Sequence, residues 1–380
     1  MLWDIFCRVI DNFGDIGVCW RLSADLAARG HTVRLWVDDA SALRWMAPGA
    51  LEGQRRGIQV LAWAQSQSAQ ALQSMPCADV WIEAFGCDIP DAFVAHYARA
   101  IASLGVEAGP ISARAKPAWI NLEYLSAEPY VERSHGLPSP VLQGPAKGWT
   151  KHFFYPGFGT KTGGLLREQT LAAAWQPPDA AARAQFFSRI GVQWQSERVL
   201  SLFCYEPPVL KAVLEHLAGL PEPLLLLVTP GRASNAVRAL LGTETTWDRL
   251  QISHLPTLTQ TDYDGLLTHC DLNFVRGEDS VLRALWAGRP FIWHIYPQDD
   301  QAHAPKLEAF LETLHFSAAV CRLHRAWNGL LATPPDTHTL QPLNASAGEE
   351  WQAQVLAARQ QLFKLPDLST SLLQFVQKKR

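Results

Sequence analysis

Two short segments of this sequence gather residues able to carry out chemistry. The first, Asp11-Asn12-Phe13-Gly14-Asp15-Ile16-Gly17, places two carboxylates four residues apart around two glycines. Phe13, Gly14 and Gly17 read as the residues that shape this turn, the glycines by allowing tight backbone geometry. The segment is not a dinucleotide fingerprint: G-D-I-G lacks the G-x-G-x-x-G spacing, and a carboxylate would repel a pyrophosphate placed there. The plainer reading is that one carboxylate caps the following helix and the other is solvated. The second segment, Arg276-Gly277-Glu278-Asp279-Ser280, opens a helix with an arginine at its mouth. Backbone amides of Asp279 and Ser280, the Ser280 hydroxyl and the Arg276 guanidinium suit a diphosphate. Glu278 is too negative for a loop that binds phosphate alone, and suits a sugar hydroxyl or an arriving cation. The alternative is an ordinary Asp/Ser cap with a surface arginine.

Aromatic residues supply a third set. Phe203 and Tyr205 end the run RVLSLFCY, Tyr263 follows Gln260, and Tyr296 follows PFIWHI. Rings at strand ends could stack a nucleobase; core packing is the stronger reading of each ring taken alone. Other chemistries find little support. His254, His269, His294 and His303 share no metal-ligand spacing, and Asp299-Asp300 in a polar QDDQ loop reads as solvated. No G-x-S-x-G elbow occurs, and no cysteine has a base nearby in sequence. The run GFGTKTGG, Gly157 to Gly164, sets Lys161 before Gly163, out of order for a phosphate loop.

These residues need a frame, and strand–helix alternation supplies it. A strand from Leu2 to Val9 precedes the acidic turn, and a helix from Val18 to Arg29 follows it, ending at Gly30. HTVRLWV, IQVLAW, DVWIEAF and PAWINLEY continue as strands, with helices near 67–74 and 91–104 between them. This alternation predicts a parallel sheet covered by helices on both faces. Residues 126–165 break the pattern with Pro129, Pro138, Pro140, Pro145 and Pro156, and read as an interdomain region. Alternation then resumes with RVLSLFC, PLLLLV, LQISHL, DLNFV and PFIWHIY. The tail from about 347 to 378 is helical by pattern and able to return to the first domain. Two open α/β domains in series favour a ligand crevice between them, outside the carboxyl ends of the strands.

Composition bounds the function class. The 380 residues carry 33 Lys and Arg against 36 Asp and Glu, a net charge of −3, which gives no global footprint for nucleic acid or for an anionic membrane. Charged residues are 18% and hydrophobic ones 48%, so the chain has ample material for two cores and is not disordered. Seven scattered cysteines, none spaced C-x-x-C, argue against a disulfide framework or a cysteine zinc site and suggest a reducing, cytoplasmic setting. The N-terminus holds Asp4 inside its apolar run and reads as a strand, not a signal peptide. The longest aliphatic run, Leu224 to Val228, is too short to cross a bilayer, so a soluble protein is expected. Of the 15 tryptophans, Trp20, Trp36, Trp81 and Trp286 fall inside elements and read as core.

Longer stretches are more specific. DNFGDIGVCWRLSADLA, FFYPGFGTKTGGLLRE and FVRGEDSVLRALWAGRPFIWHIYPQDDQAH together resemble the bacterial elongation factor P arginine rhamnosyltransferases, and the likeness runs from Leu2 to the helical tail. The resemblance implies an α/β protein of the GT-B class, with two Rossmann-like domains facing each other across a cleft. Residues 1–165 would form the acceptor domain and 180–364 the donor domain, with a helix at about 365–380 packing back onto the first. It implies transfer of rhamnose from dTDP-β-L-rhamnose to a guanidinium nitrogen of one arginine of elongation factor P, with inversion and with neither metal nor other cofactor. The modified factor would then relieve ribosome stalling at polyproline. Carried over by motif, the catalytic carboxylates fall on Asp11, Asp15 and Glu278. The thymine-stacking ring is similar to Phe203, with Tyr205, Gln260 and Tyr263 around the nucleoside. Diphosphate contacts fall on Arg276, Asp279, Ser280 and Tyr296. A monomer without nucleic-acid or membrane partners is expected.

Chemistry and resemblance converge. A guanidinium is delocalised and its pKa exceeds about 12, so arginine is a poor nucleophile. Carboxylates around it can orient it by paired hydrogen bonds and accept a proton as the C–N bond forms. Asp15 is the expected general base, Asp11 an orienting group, and Glu278 a grip on guanidinium or sugar from the opposite domain. Two alternatives stand beside this reading. One is a GT-B enzyme with another nucleotide sugar or a lipid or small-molecule acceptor, the lipid disfavoured by the lack of a basic amphipathic segment. The other is a non-catalytic binder of elongation factor P.

Overall fold

The computed structural model describes residues 1–10, 13–107, 116–297 and 303–379. Asp11 and the Asp299-Asp300 pair lie outside the described residues. The chain forms two compact units, Met1–Leu171 with Leu365–Arg380, and Ala172–Lys364.

In the first unit the described residues build one sheet from β1 (Leu2–Cys7), β2 (Thr32–Val37), β3 (Ile58–Ala62), β4 (Val80–Ala84), β5 (Ala118–Leu122), β6 (Pro138–Pro140) and β7 (Thr150–Phe154). Their order is β3-β2-β1-β4-β5-β7-β6, parallel throughout except for β6 against β7. β1, β2 and β4 are buried along almost their whole length, as expected of strands covered on both faces. Asp4 inside β1 is tolerated because Arg34 on the neighbouring β2 donates two bonds of 2.6 Å to it and the Trp36 indole a third of 2.7 Å. Burial raises the Asp4 pKa, and Arg34 pulls the other way. Phe6, Trp36, Trp63, Trp81, Phe93 and Trp119 fill the core on one face. Trp20, Trp36 and Trp81 are buried here, and Trp286 is buried in the second unit.

Two expectations need correction in this unit. The first helix runs from Gly14 to Ala28, so Gly14 and Gly17 lie in its first turn and not in a loop. Gly17 N–H already donates to Phe13 O at 3.0 Å, and Phe13 occupies the N-cap position with no side-chain cap, so no capping residue marks the start in sequence. The proline-rich stretch 126–165 is not a bare connection, because β6 and β7 add to the sheet within it. The glycines of GFGTKTGG serve close packing. A Cβ on Gly163 would come 2.3 Å from the Phe154 ring, and one on Gly164, where φ is +73°, 2.2 Å from Pro366 O. That oxygen belongs to the C-terminal stretch. There the helix Leu368–Lys379 is anchored by Arg29, which reaches Asp367 at 2.7 Å and Thr370 at 2.7 Å.

The second unit repeats the design with β8 (Arg198–Leu202), β9 (Leu224–Val228), β10 (Thr246–Trp247), β11 (Leu250–His254), β12 (Leu272–Arg276) and β13 (Phe291–His294). The order is β10-β11-β9-β8-β12-β13, with only the β10 edge antiparallel. In both units, then, the first strand is flanked by the second on one side and by a later strand on the other. The strand order reverses there, and ligands of open α/β sheets bind at the carboxyl ends of such strands. The reversal falls between β1 and β4 in the first unit and between β8 and β12 in the second. Among the described residues no helix is long and apolar enough to cross a membrane.

Candidate active site

In the first unit, Asp15 is the second residue of the helix that follows β1, where the helix dipole favours negative charge. Its side chain is held from two directions: Ile10 N–H donates to Oδ2 at 2.8 Å, and the Tyr124 hydroxyl approaches Oδ1 at 3.4 Å. Asp15 is only 3% exposed. Tyr124 follows β5 and stacks on Phe85, with centroids 4.8 Å apart at 21°. Phe85 follows β4 and has φ +57°, a left-handed conformation costly for a bulky side chain. Its N–H, donated to Leu122 O at 2.8 Å, helps hold it there. The strained residue therefore braces the tyrosine that braces the carboxylate. Phe13 packs edge-on against Trp45 at 5.1 Å. The same unit holds a cavity of about 670 Å³, its lining including Arg8, Trp63, Glu83, Trp119 and Lys151. Glu83 and Lys151 form an ion pair of 2.8 Å within it.

In the second unit, adjacency of β8 and β12 brings Phe203, Tyr205 and Arg276 together. Phe203 N–H donates to Phe274 O at 2.9 Å, continuing the β8–β12 pairing. The Arg276 guanidinium carbon lies 4.5 Å from the ring centres of both Phe203 and Tyr205. Arg276 is 6% exposed, and its Nη1 is buried with no hydrogen-bond partner. A buried cationic donor left unsatisfied is costly, and an incoming anion would relieve it. Gly277, at φ +69°, turns the chain from β12 into the helix Gly277–Ala287. That helix is tied down by Trp293 Nε1 donating to Gly277 O at 3.0 Å and by a two-pronged Arg283–Asp264 pair at 2.8 and 3.0 Å.

The remaining expected residues fall around Arg276. Tyr263 meets Phe203 edge-on at 5.7 Å, and its hydroxyl is buried without a hydrogen-bond partner. Burial raises the pKa of that phenol, with nearby Ser280 acting against it. Gln260 and Ser280 are buried at the first turns of their helices. The Tyr205 ring, 1% exposed, is surrounded by Arg276, by Arg232 at 5.5 Å, and by His294 and Tyr296 edge-on, and packs against the Arg276 guanidinium. Tyr205 N–H donates to His294 Nδ1 at 3.3 Å. Burial, reinforced by Arg276 and His303, lowers the His294 pKa to about 3, which keeps that nitrogen an acceptor. Tyr296 is 49% exposed. Glu278 and Asp279 share the first turn of the helix, and Glu278 is ion-paired to Lys306 at 2.6 Å. Sequence reading passed over Tyr124, Phe85 and Lys306, because their partners lie 28 or more residues away.

The chain matches the family model of the Elongation-Factor P (EF-P) rhamnosyltransferase EarP over residues 3–377. It is 41% identical to a protein-arginine rhamnosyltransferase of Pseudomonas putida over 98% of both chains, and 37% identical to one of Shewanella oneidensis over 99% of this chain and 98% of the relative. Among solved structures it resembles one described as the structural basis for EarP-mediated arginine glycosylation of translation elongation factor EF-P. The TM-score is 0.65 and identity 31%, over 99% of each chain. A likeness to Anabaena HepE in complex with UDP-glucose, at 14% identity and TM-score 0.51 over 100% and 99% of the chains, speaks for the fold alone.

Proposed function

The chain belongs to the elongation factor P rhamnosyltransferase family, a glycosyltransferase of two Rossmann-like units, and on that premise we propose the reaction it performs. Rhamnose passes from dTDP-β-L-rhamnose to a guanidinium nitrogen of one arginine of elongation factor P, with inversion at the anomeric carbon. The observation that carries the donor half is Arg276, a buried guanidinium clamped between two rings with one nitrogen unsatisfied. It receives the diphosphate with the first-turn amides at Asp279 and Ser280. Phe203 stacks the thymine, with Gln260 and Tyr263 at the nucleoside, and Tyr296 reaches the phosphates.

The bond changes balance within this set. A C–N bond forms between the anomeric carbon and the arginine nitrogen as the C–O bond to the diphosphate breaks. The departing dTDP takes the electron pair, and Arg276 and the helix amides stabilise its charge. The nitrogen loses a proton to Asp15, whose orientation is fixed by Ile10 N–H and Tyr124. Asp11 helps orient the guanidinium and Glu278 holds the sugar or the guanidinium. The reading calls for no metal or other cofactor, and places a monomer in the cytoplasm.

The test is to incubate the protein with dTDP-β-L-rhamnose and elongation factor P, then measure intact mass, fragment the product and assign the anomer by NMR. One deoxyhexose on a single arginine in the α configuration is expected. Complex formation without a mass gain would leave a binder, and preferential use of another nucleotide sugar would overturn the donor.

A further inference from the structure

We propose that Lys306 is a positioning residue that lets Glu278 stand beside the donor diphosphate, by cancelling its charge and fixing one of its oxygens. The inference rests on the reading of Arg276 as the diphosphate site. Glu278 follows Arg276 by two residues, and a carboxylate there would repel the anion that Arg276 is built to bind. Lys306 Nζ lies 2.6 Å from Glu278 Oε1, and the two side chains are 21% and 17% exposed, so solvent screens the pair only partly.

The position of Lys306 argues that the pair is more than incidental. It is the fourth residue of the helix His303–Leu314, whose first turn carries no acidic residue. A cation in a first turn opposes the helix dipole, so a carboxylate that offsets Lys306 also relieves that helix. One counter-charge, Glu278, comes from the neighbouring helix, Gly277–Ala287. The two helices follow the adjacent strands β12 and β13, which brings their first turns together at the same end of the sheet. Glu278 can thus face the sugar or guanidinium while its repulsion of the diphosphate is offset by Lys306.

Binding of dTDP, which has no sugar, isolates the electrostatic part. Calorimetry on the full-length protein should show Lys306→Met weakening dTDP binding about tenfold. Lys306→Arg should stay within about twofold of wild type, and Glu278→Gln should bind at least as tightly as wild type. The decisive variant is the double one: Glu278→Gln with Lys306→Met should return to within about twofold of wild type, because both charges leave together. A double variant as weak as Lys306→Met alone would make Lys306 a direct phosphate ligand and overturn the proposal. Melting temperatures of all four variants identify any loss caused by unfolding; a weakening that tracked melting temperature, with no rescue, would likewise overturn it. If wild type ignores dTDP, the donor reading falls and this proposal with it. If wild type binds and rescue fails, this proposal falls alone.

Discussion

The two units share the strand order around their point of reversal and put opposite charge at that place. Where β1 and β4 part, the first unit holds a carboxylate fixed by a backbone amide and a tyrosine. Where β8 and β12 part, the second holds an arginine fixed by two aromatic rings. The parallel sheet fixes where a ligand can sit, and says nothing of its charge; side chains at the strand end or in the helix that follows decide that. Even the supports differ in kind. Asp15 is placed by hydrogen bonds, which fix the direction of its carboxylate. Arg276 is placed by ring faces that leave a donor nitrogen unengaged.

The comparison breaks most sharply at Asp15. Asp15→Asn keeps the shape and removes the base, and turnover should fall about 10³-fold, about 4 kcal/mol, with dTDP affinity unchanged. Steady-state kinetics with calorimetry checks this; a variant that keeps turnover removes Asp15 as the base, and one that loses dTDP binding assigns it to the wrong half.

Acid should separate the units nearly as strongly. Burial lowers the pKa of His294 to about 3 and of His324 to about 4. The folded protein then binds fewer protons than the unfolded chain below about pH 6.5, so stability is lost as pH falls from there toward those values. At pH 5 each histidine costs about 2 kcal/mol. In the first unit lowered His31, His135 and His152 are opposed by Asp4 and Glu83, which burial raises and which therefore favour folding as pH falls. Hydrogen exchange at pH 7 and 5, corrected for intrinsic rates, should show the second unit opening first. Earlier opening of the first would contradict this balance.

Arg276→Met gives the smallest of the three effects. It should weaken dTDP binding about 50-fold, roughly the 1.5–3 kcal/mol of one charged hydrogen bond, and leave acceptor affinity unchanged. Equal loss of both would mean that the halves are not chemically separate.

Much of the frame was legible because buried parallel strands such as LLLLV leave little choice of conformation. Three features escaped for identifiable reasons. The first helix begins at Gly14 with no capping side chain, so its glycines resembled loop residues. β6 is only Pro-Ser-Pro, and proline is acceptable there because the strand lies at the sheet edge, so composition suggested a linker where a strand forms. Tyr124 and Lys306 act on residues 109 and 28 positions away, and only the fold brings such partners together. The packing of the Tyr205 ring against Arg276 was likewise not legible, since those residues are 71 positions apart in the chain.

The anchoring of Arg29 by Asp367 and Thr370 bears on how the protein is made. Synthesis runs from the first residue to the last, so the first unit leaves the ribosome with one of its helices still to come, and the whole second unit is made in between. The second unit is contiguous and can close as soon as it emerges; the first, begun earlier, can be completed only later. Until then Gly164 and the Phe154 ring lack the covering that Pro366 and Phe375 provide. The unit that carries Asp15 is thus the last to mature.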